Sequence, residues 1–156
     1  MKMKMNISFF VLLFGAGLVS VVGCEGSGSD GAPTLEMGKS ECVACGMVIN
    51  DTRYAAAIKS ATGEVAGFDA LECLIRHARR NKKEGDQIWL SDFYDLQMYP
   101  ESQMMVVLAD FPSPMGGGLA AFKDKSKAEE AAATRRGEAG LLADFVSGSI
   151  QRKAPR

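Results

Sequence analysis

The chain carries a single histidine in 156 residues. No Ser-His-Asp constellation can be assembled around it, and no glycine-rich phosphate loop is present. A dominant charge is missing too: 18 Lys and Arg stand against 19 Asp and Glu, a formal net charge of −1. Without an excess of basic residues, or aromatic residues interleaved with them, nucleic acid is not a partner. The basic group Arg76, Arg79, Arg80, Lys82 and Lys83 reads as the solvated end of a helix, and Arg152, Lys153 and Arg156 read as a short basic tail. The paired acids Asp92 and Asp95, and Glu129 and Glu130, read as ordinary solvated positions. Nothing here marks an enzyme. A spanning helix is also absent from the N-terminus: the apolar run Ile7 to Val22 is about sixteen residues, short of the roughly 20 needed to cross a bilayer.

What the N-terminus does contain is a targeting pattern. Lys2 and Lys4 precede the apolar run, which ends Val21-Val22-Gly23-Cys24. Small residues before a cysteine resemble the lipobox of bacterial lipoproteins, so residues 1–23 are a signal peptide and Cys24 is the acylated first residue. No basic stop-transfer cluster follows. The mature chain would then hold 133 residues, enough for one domain, and removing Lys2 and Lys4 takes the net charge from −1 to −3. Residues 24–36, rich in Gly, Ser, Ala and Pro, read as the lipid anchor and a flexible tether. Glu25 after Cys24 favours the outer membrane, with the domain on the periplasmic face.

From Met37 to residue 150 the chain runs one unit twice, in lobes of about 40–97 and 98–150, with 151–156 as the tail. Strands are expected at 54–59 and 64–68, then a helix over 70–81 with Asp69 as its N-cap, then a strand at 87–90. The second copy has strands at 104–109 and 119–122, a helix over 126–136 and a final strand over 140–146. The fold class is α+β, two small strand-strand-helix-strand lobes in one compact domain.

Cysteine is scarce, four in all, and the odd count matters. With Cys24 lipidated, Cys42, Cys45 and Cys73 remain, and three thiols cannot all pair within one chain. Cys42-Val43-Ala44-Cys45-Gly46-Met47 sets two thiols and a thioether within six residues, a soft donor set of the kind that selects Cu(I). Three readings stay open. A thiol-disulfide oxidoreductase would want the first cysteine at a helix N-terminus, and the sequence after Cys45 is poor helix. A structural zinc site could use Cys42 and Cys45 with Cys73 and His77, which lie one helical turn apart on one face. A copper site could add methionine. Met115 sits between stiffening Pro114 and three glycines, where an exposed thioether packs poorly and ligates well.

Together these features resemble the NosL family. The similarity runs from about Ser40 to Phe145 and is carried by Cys42-x-x-Cys45-Gly46-Met47, Gly67-Phe68-Asp69 with Cys73, Asp110-Phe111, Met115-Gly116 and Phe122. It implies an extracytoplasmic lipoprotein acting as a Cu(I) chaperone in nitrous oxide reductase assembly. It implies two lobes similar to treble-clef and organomercurial-lyase-like folds. The implied ligands are Cys45, Met47 and Met115, with Cys42 as an auxiliary thiolate. The implied partners are an ABC-type maturation complex and, through it, nitrous oxide reductase. One departure is visible: Asp92 to Tyr99 lacks a histidine that some relatives carry nearby.

Overall fold

The computed structural model describes residues 31–151. The signal segment, Cys24, the first part of the tether and the tail from Arg152 lie outside the described residues. Two antiparallel sheets are each built from one strand-strand-helix-strand unit. The first comprises β1 (Ala56–Lys59), β2 (Val65–Phe68), α1 (Leu71–Asn81) and β3 (Gln87–Ser91), extended by β4 (Met98–Pro100), in the order β2-β1-β3-β4. The second comprises β5 (Met105–Leu108), β6 (Leu119–Phe122), α2 (Lys125–Thr134) and β7 (Glu138–Gly140), in the order β6-β5-β7, and α3 (Leu142–Ser147) closes the chain. The repeat read from the sequence is the architecture of the fold.

Its helices form where apolar side chains recur at helical spacing. On α1, Leu71, Leu74, Ile75 and Ala78 are buried against the sheets, with Cys73 among them. The helix starts one residue later than expected: Ala70 is the N-cap and makes no side-chain capping bond. Asp69 therefore does not cap, and its carboxylate turns elsewhere. On α2, Asp124 does cap, accepting from the backbone N–H groups of Ser126 and Lys127.

The stretch expected as a final strand over 140–146 splits into β7 and α3. Leu142 and Phe145 are buried three residues apart, which suits a helix. Asp144 Oδ2 accepts from Leu141 N at 2.8 Å to start the turn, and Gly148, at φ +85°, ends it. Arg79 donates to the carbonyls of Phe145 and Val146 at 2.7 and 2.9 Å, tying α3 to α1. Arg79 is exposed in the last turn of α1, as expected of a solvated helix end, and from there it also caps α3.

Asp92, by contrast, is no solvated acid. It is buried at the junction of the lobes, where it bridges in parallel to Ala121 of β6. Its Oδ1 accepts from Tyr94 N and Asp95 N, both at 2.9 Å, and its Oδ2 from Lys123 N at 2.7 Å. Phe93, the next residue, packs its ring on Tyr54, Phe111 and Phe122 at centroid distances of 5.3–5.9 Å. Contacts of the fold also begin ahead of Met37: Leu35 packs on the main core, close over Gly67.

Candidate metal centre

Three elements converge at one end of the first lobe. The first is a tight hairpin around the cysteine pair, closed by a bridge between Glu41 and Val48. Within it, Gly46 N donates to the Cys42 carbonyl and Cys42 N to the Met47 carbonyl, both at 2.8 Å. Gly46 sits at φ +75°, a conformation that costs a side-chain-bearing residue about 1 kcal/mol or more, which fixes glycine after Cys45. Neither cysteine of the pair starts a helix.

The second element is the end of β2. Val43 N donates to the Gly67 carbonyl at 3.0 Å, seating the hairpin on the strand. A side chain at 67 would press on Ile49 and Leu35 at 2.9 Å, so glycine permits this approach. The chain then delivers Phe68 to the core and Asp69 to the hairpin. The third element is the first turn of α1, which contributes Cys73.

The result is a four-donor group. The thiol sulfurs of Cys42, Cys45 and Cys73 and a carboxylate oxygen of Asp69 all lie within 4.8 Å of one another. A tetrahedral ion with bonds near 2.3 Å to sulfur needs donors about 3.8 Å apart, so small side-chain movements would close the group on a metal. Cys42 is 1%, Cys73 0% and Asp69 1% exposed. Cys45 alone is partly open to solvent.

Polar satisfaction within the group is incomplete. The Cys45 thiol donates to Asp69 Oδ1 at 3.4 Å, while Asp69 Oδ2 is buried with no hydrogen bond. A buried carboxylate oxygen left without a donor is costly unless something cationic completes it. Burial pushes the Cys73 thiol well up, and the neighbouring Asp69 side chain and the Cys42 and Cys45 thiols add to it. Burial likewise raises Cys42. Without metal the buried thiols are therefore protonated, and a cation must displace protons to bind. Arg76 lies at the edge, with Nη2 3.4 Å from both Cys73 Sγ and the Ala44 carbonyl, where it offsets negative charge.

Of the residues expected at the site, Cys42 and Cys45 are in this group, and Cys73 joins them. His77 does not. It lies one turn, about 6 Å, further along α1, with its ring packed at a tilt on Phe68 at 5.2 Å between centroids. In the zinc reading left open above, the group that comes together holds Asp69 in place of His77. Met47 and Met115 are both surface thioethers, 45% and 38% exposed. Met47 extends from the cysteine hairpin. Met115 occupies the third position of a turn closed by Gly116 N donating to the Ser113 carbonyl at 2.9 Å, with Pro114 at the favoured second position. Asp69 escaped notice because an Asp before an apolar helix reads first as an N-cap; its Gly67-Phe68-Asp69 context was the signal that could have found it.

Residues 34–147 match a family model described as NosL. Among solved structures, the copper chaperone NosL from Shewanella denitrificans aligns with a TM-score of 0.63 at 17% identity, covering 78% of this chain and 96% of that one. At that identity the likeness is one of fold. Comparison with curated proteins finds no match.

Proposed function

The chain belongs to the NosL family, and from that premise we propose that it is a membrane-tethered Cu(I) carrier that works by ligand exchange, not catalysis. The observation that carries the reading is the group of three thiols and a carboxylate within 4.8 Å, closed to solvent except at Cys45. Thiolate and thioether donors favour Cu(I) over hard cations. Cys45 serves two neighbourhoods: the buried donors Cys42, Cys73 and Asp69 behind it, and the exposed thioether of Met47 two residues on. Copper held by Cys45, Met47 and Met115, with Cys42 as auxiliary thiolate, keeps an open position for an acceptor's ligand. A fully closed tetrahedral site would retain its ion.

The anchor in this reading is Cys24, on the periplasmic face of the outer membrane. The acceptors are an ABC-type maturation complex and, through it, nitrous oxide reductase. Family membership and the lipobox-like sequence support these assignments.

One observation favours a second reading. Cys42, Cys73 and Asp69 are almost wholly buried, as in structural zinc sites, and a Cys3Asp set satisfies zinc. Competition titrations of Cu(I) and Zn(II) against calibrated chelators separate the two, using the reduced domain from Glu25 and its Met115→Ala variant. The carrier reading expects one tightly bound Cu(I), weakened in the variant, and a domain that stays folded without metal. Tight zinc binding unaffected by the variant, with unfolding on chelation, overturns it.

A further inference from the structure

We infer that Glu72 is the positioning residue that holds the Met115 turn against the first turn of α1, the turn that also carries Cys73. The inference rests on Met115 being a copper donor. Glu72 immediately precedes Cys73 and is half-buried. Its Oε1 accepts from Ser113 Oγ at 2.6 Å, a contact spanning 41 residues and joining the lobes. The same Ser113 hydroxyl accepts from Gly118 N at 3.0 Å, so one buried serine both closes the loop and docks it. On the other side of Met115, Gly117 lies so close that a Cβ there would sit 2.4 Å from Glu72 Cγ and Oε1. Residues two before and two after Met115 thus both rest on one glutamate.

That arrangement fixes the corner of the turn and leaves the thioether outward. Short charge-assisted O–H···O bonds of this kind are among the stronger side-chain contacts. The loop carries φ-positive glycines at 116 and 118 and would otherwise have several conformations to choose from. Ordering a thioether before the ion arrives removes an entropy cost from binding, and that is the contribution assigned to Glu72. The remaining oxygen, Oε2, is buried without a hydrogen bond, so only the acceptor Oε1, which Gln also carries, is needed for the bond to Ser113. Gln can replace Glu in it.

The test is a comparison of Cu(I) and Zn(II) affinities for the reduced, metal-free full chain and its Met115→Ala, Glu72→Ala, Glu72→Gln and Ser113→Ala variants. The Glu72→Ala/Met115→Ala double variant completes a cycle. Expected: Glu72→Ala and Ser113→Ala weaken Cu(I) by about 10-fold, within the range for residues that orient ligands. Zn(II) affinity stays unchanged, Glu72→Gln is restored, and the double variant is no worse than Met115→Ala alone. Ser113→Ala keeps the proposal testable should Glu72→Ala fail to fold. If Met115→Ala weakens Cu(I) while Glu72→Ala and Ser113→Ala do not, the positioning role is wrong and the carrier reading stands. Neutral behaviour of Met115→Ala removes Met115 as a donor and the inference with it. Equal loss of both metals in Glu72→Ala makes the residue structural only, which also overturns the inference.

Discussion

Replacing Asp69 with Asn should make the metal-free protein more stable while making it a worse metal site. In the wild type a buried carboxylate faces three thiols, with one oxygen bonded to Cys45 at 3.4 Å and the other unbonded. An unsatisfied buried polar group costs about 1–3 kcal/mol, and more when charged. Asn has the same shape, carries no charge, and keeps one oxygen to accept from Cys45. Its amide can donate towards sulfur, a weak acceptor, so only part of the cost is recovered. A gain of about 1–2 kcal/mol follows, which for a fold of this size is a Tm rise of about 3–10 °C. Metal binding moves the other way and does so unequally. Zn(II), which accepts carboxylate readily, should lose about 100-fold or more in affinity; Cu(I), held by sulfur, should lose less than about 10-fold. Scanning calorimetry of the chelated, reduced protein and competition titrations give both quantities. A lower Tm in Asp69→Asn, with both affinities intact, would refute the reasoning and make the carboxylate part of the scaffold.

Two further outcomes follow from the same structure. Cys42 and Cys73 have folded-state pKa values raised by burial above the ordinary 9.0. Their stabilising effect is complete below about pH 9, where the unfolded thiols are also protonated, and is lost as pH climbs above it. Each thiol should contribute about 1.4 kcal/mol of lost stability per pH unit, read as a falling Tm of the metal-free protein between pH 8 and 10.5 that a Cys42→Ala/Cys73→Ala variant lacks; a matching fall in that variant would place the titration elsewhere. At the lobe junction, Asp92→Ala leaves three backbone N–H groups without their carboxylate, at a cost of about 3 kcal/mol or more. Urea unfolding should show it, and a loss below about 1 kcal/mol would mean that the bridge to Ala121 and the packing of Phe93 hold the lobes without it.

The sequence carried the repeated unit because both copies use short strands and a helix whose apolar spacing is explicit, as in Leu71, Leu74, Ile75 and Ala78. It carried the non-helical character of the cysteine pair, because the glycine and β-branched residues that follow Cys45 make poor helix. It misled at Gly140–Val146, where the apolar residues Leu141, Leu142, Phe145 and Val146 form a run too short for periodicity to separate strand from one helical turn. What it hid was long-range. The link from Asp92 to Lys123 spans 31 residues, that from Glu72 to Ser113 spans 41, and Cys45 meets Asp69 across 24. A single aspartate looks the same whether it caps a helix, bridges two lobes or faces thiols; only the tertiary fold separates Asp124, Asp92 and Asp69.

The exposure of the donors also sets an order of events. Two thiols and a carboxylate that are almost sealed cannot receive an ion from another protein directly, because an incoming ligand has no approach to them. Cys45 is the only member of the group with an open side, so exchange on the proposed carrier must pass through its sulfur. On that proposal arrival and departure share one route, and the exposed thioethers of Met47 and Met115 would hold copper while bonds to the buried side break. A soft, weak pair of thioethers suits that task, since it binds enough to prevent loss to water and too little to compete with an acceptor's thiolate. The buried side would set how tightly the ion is kept, and the exposed side how quickly it is passed on.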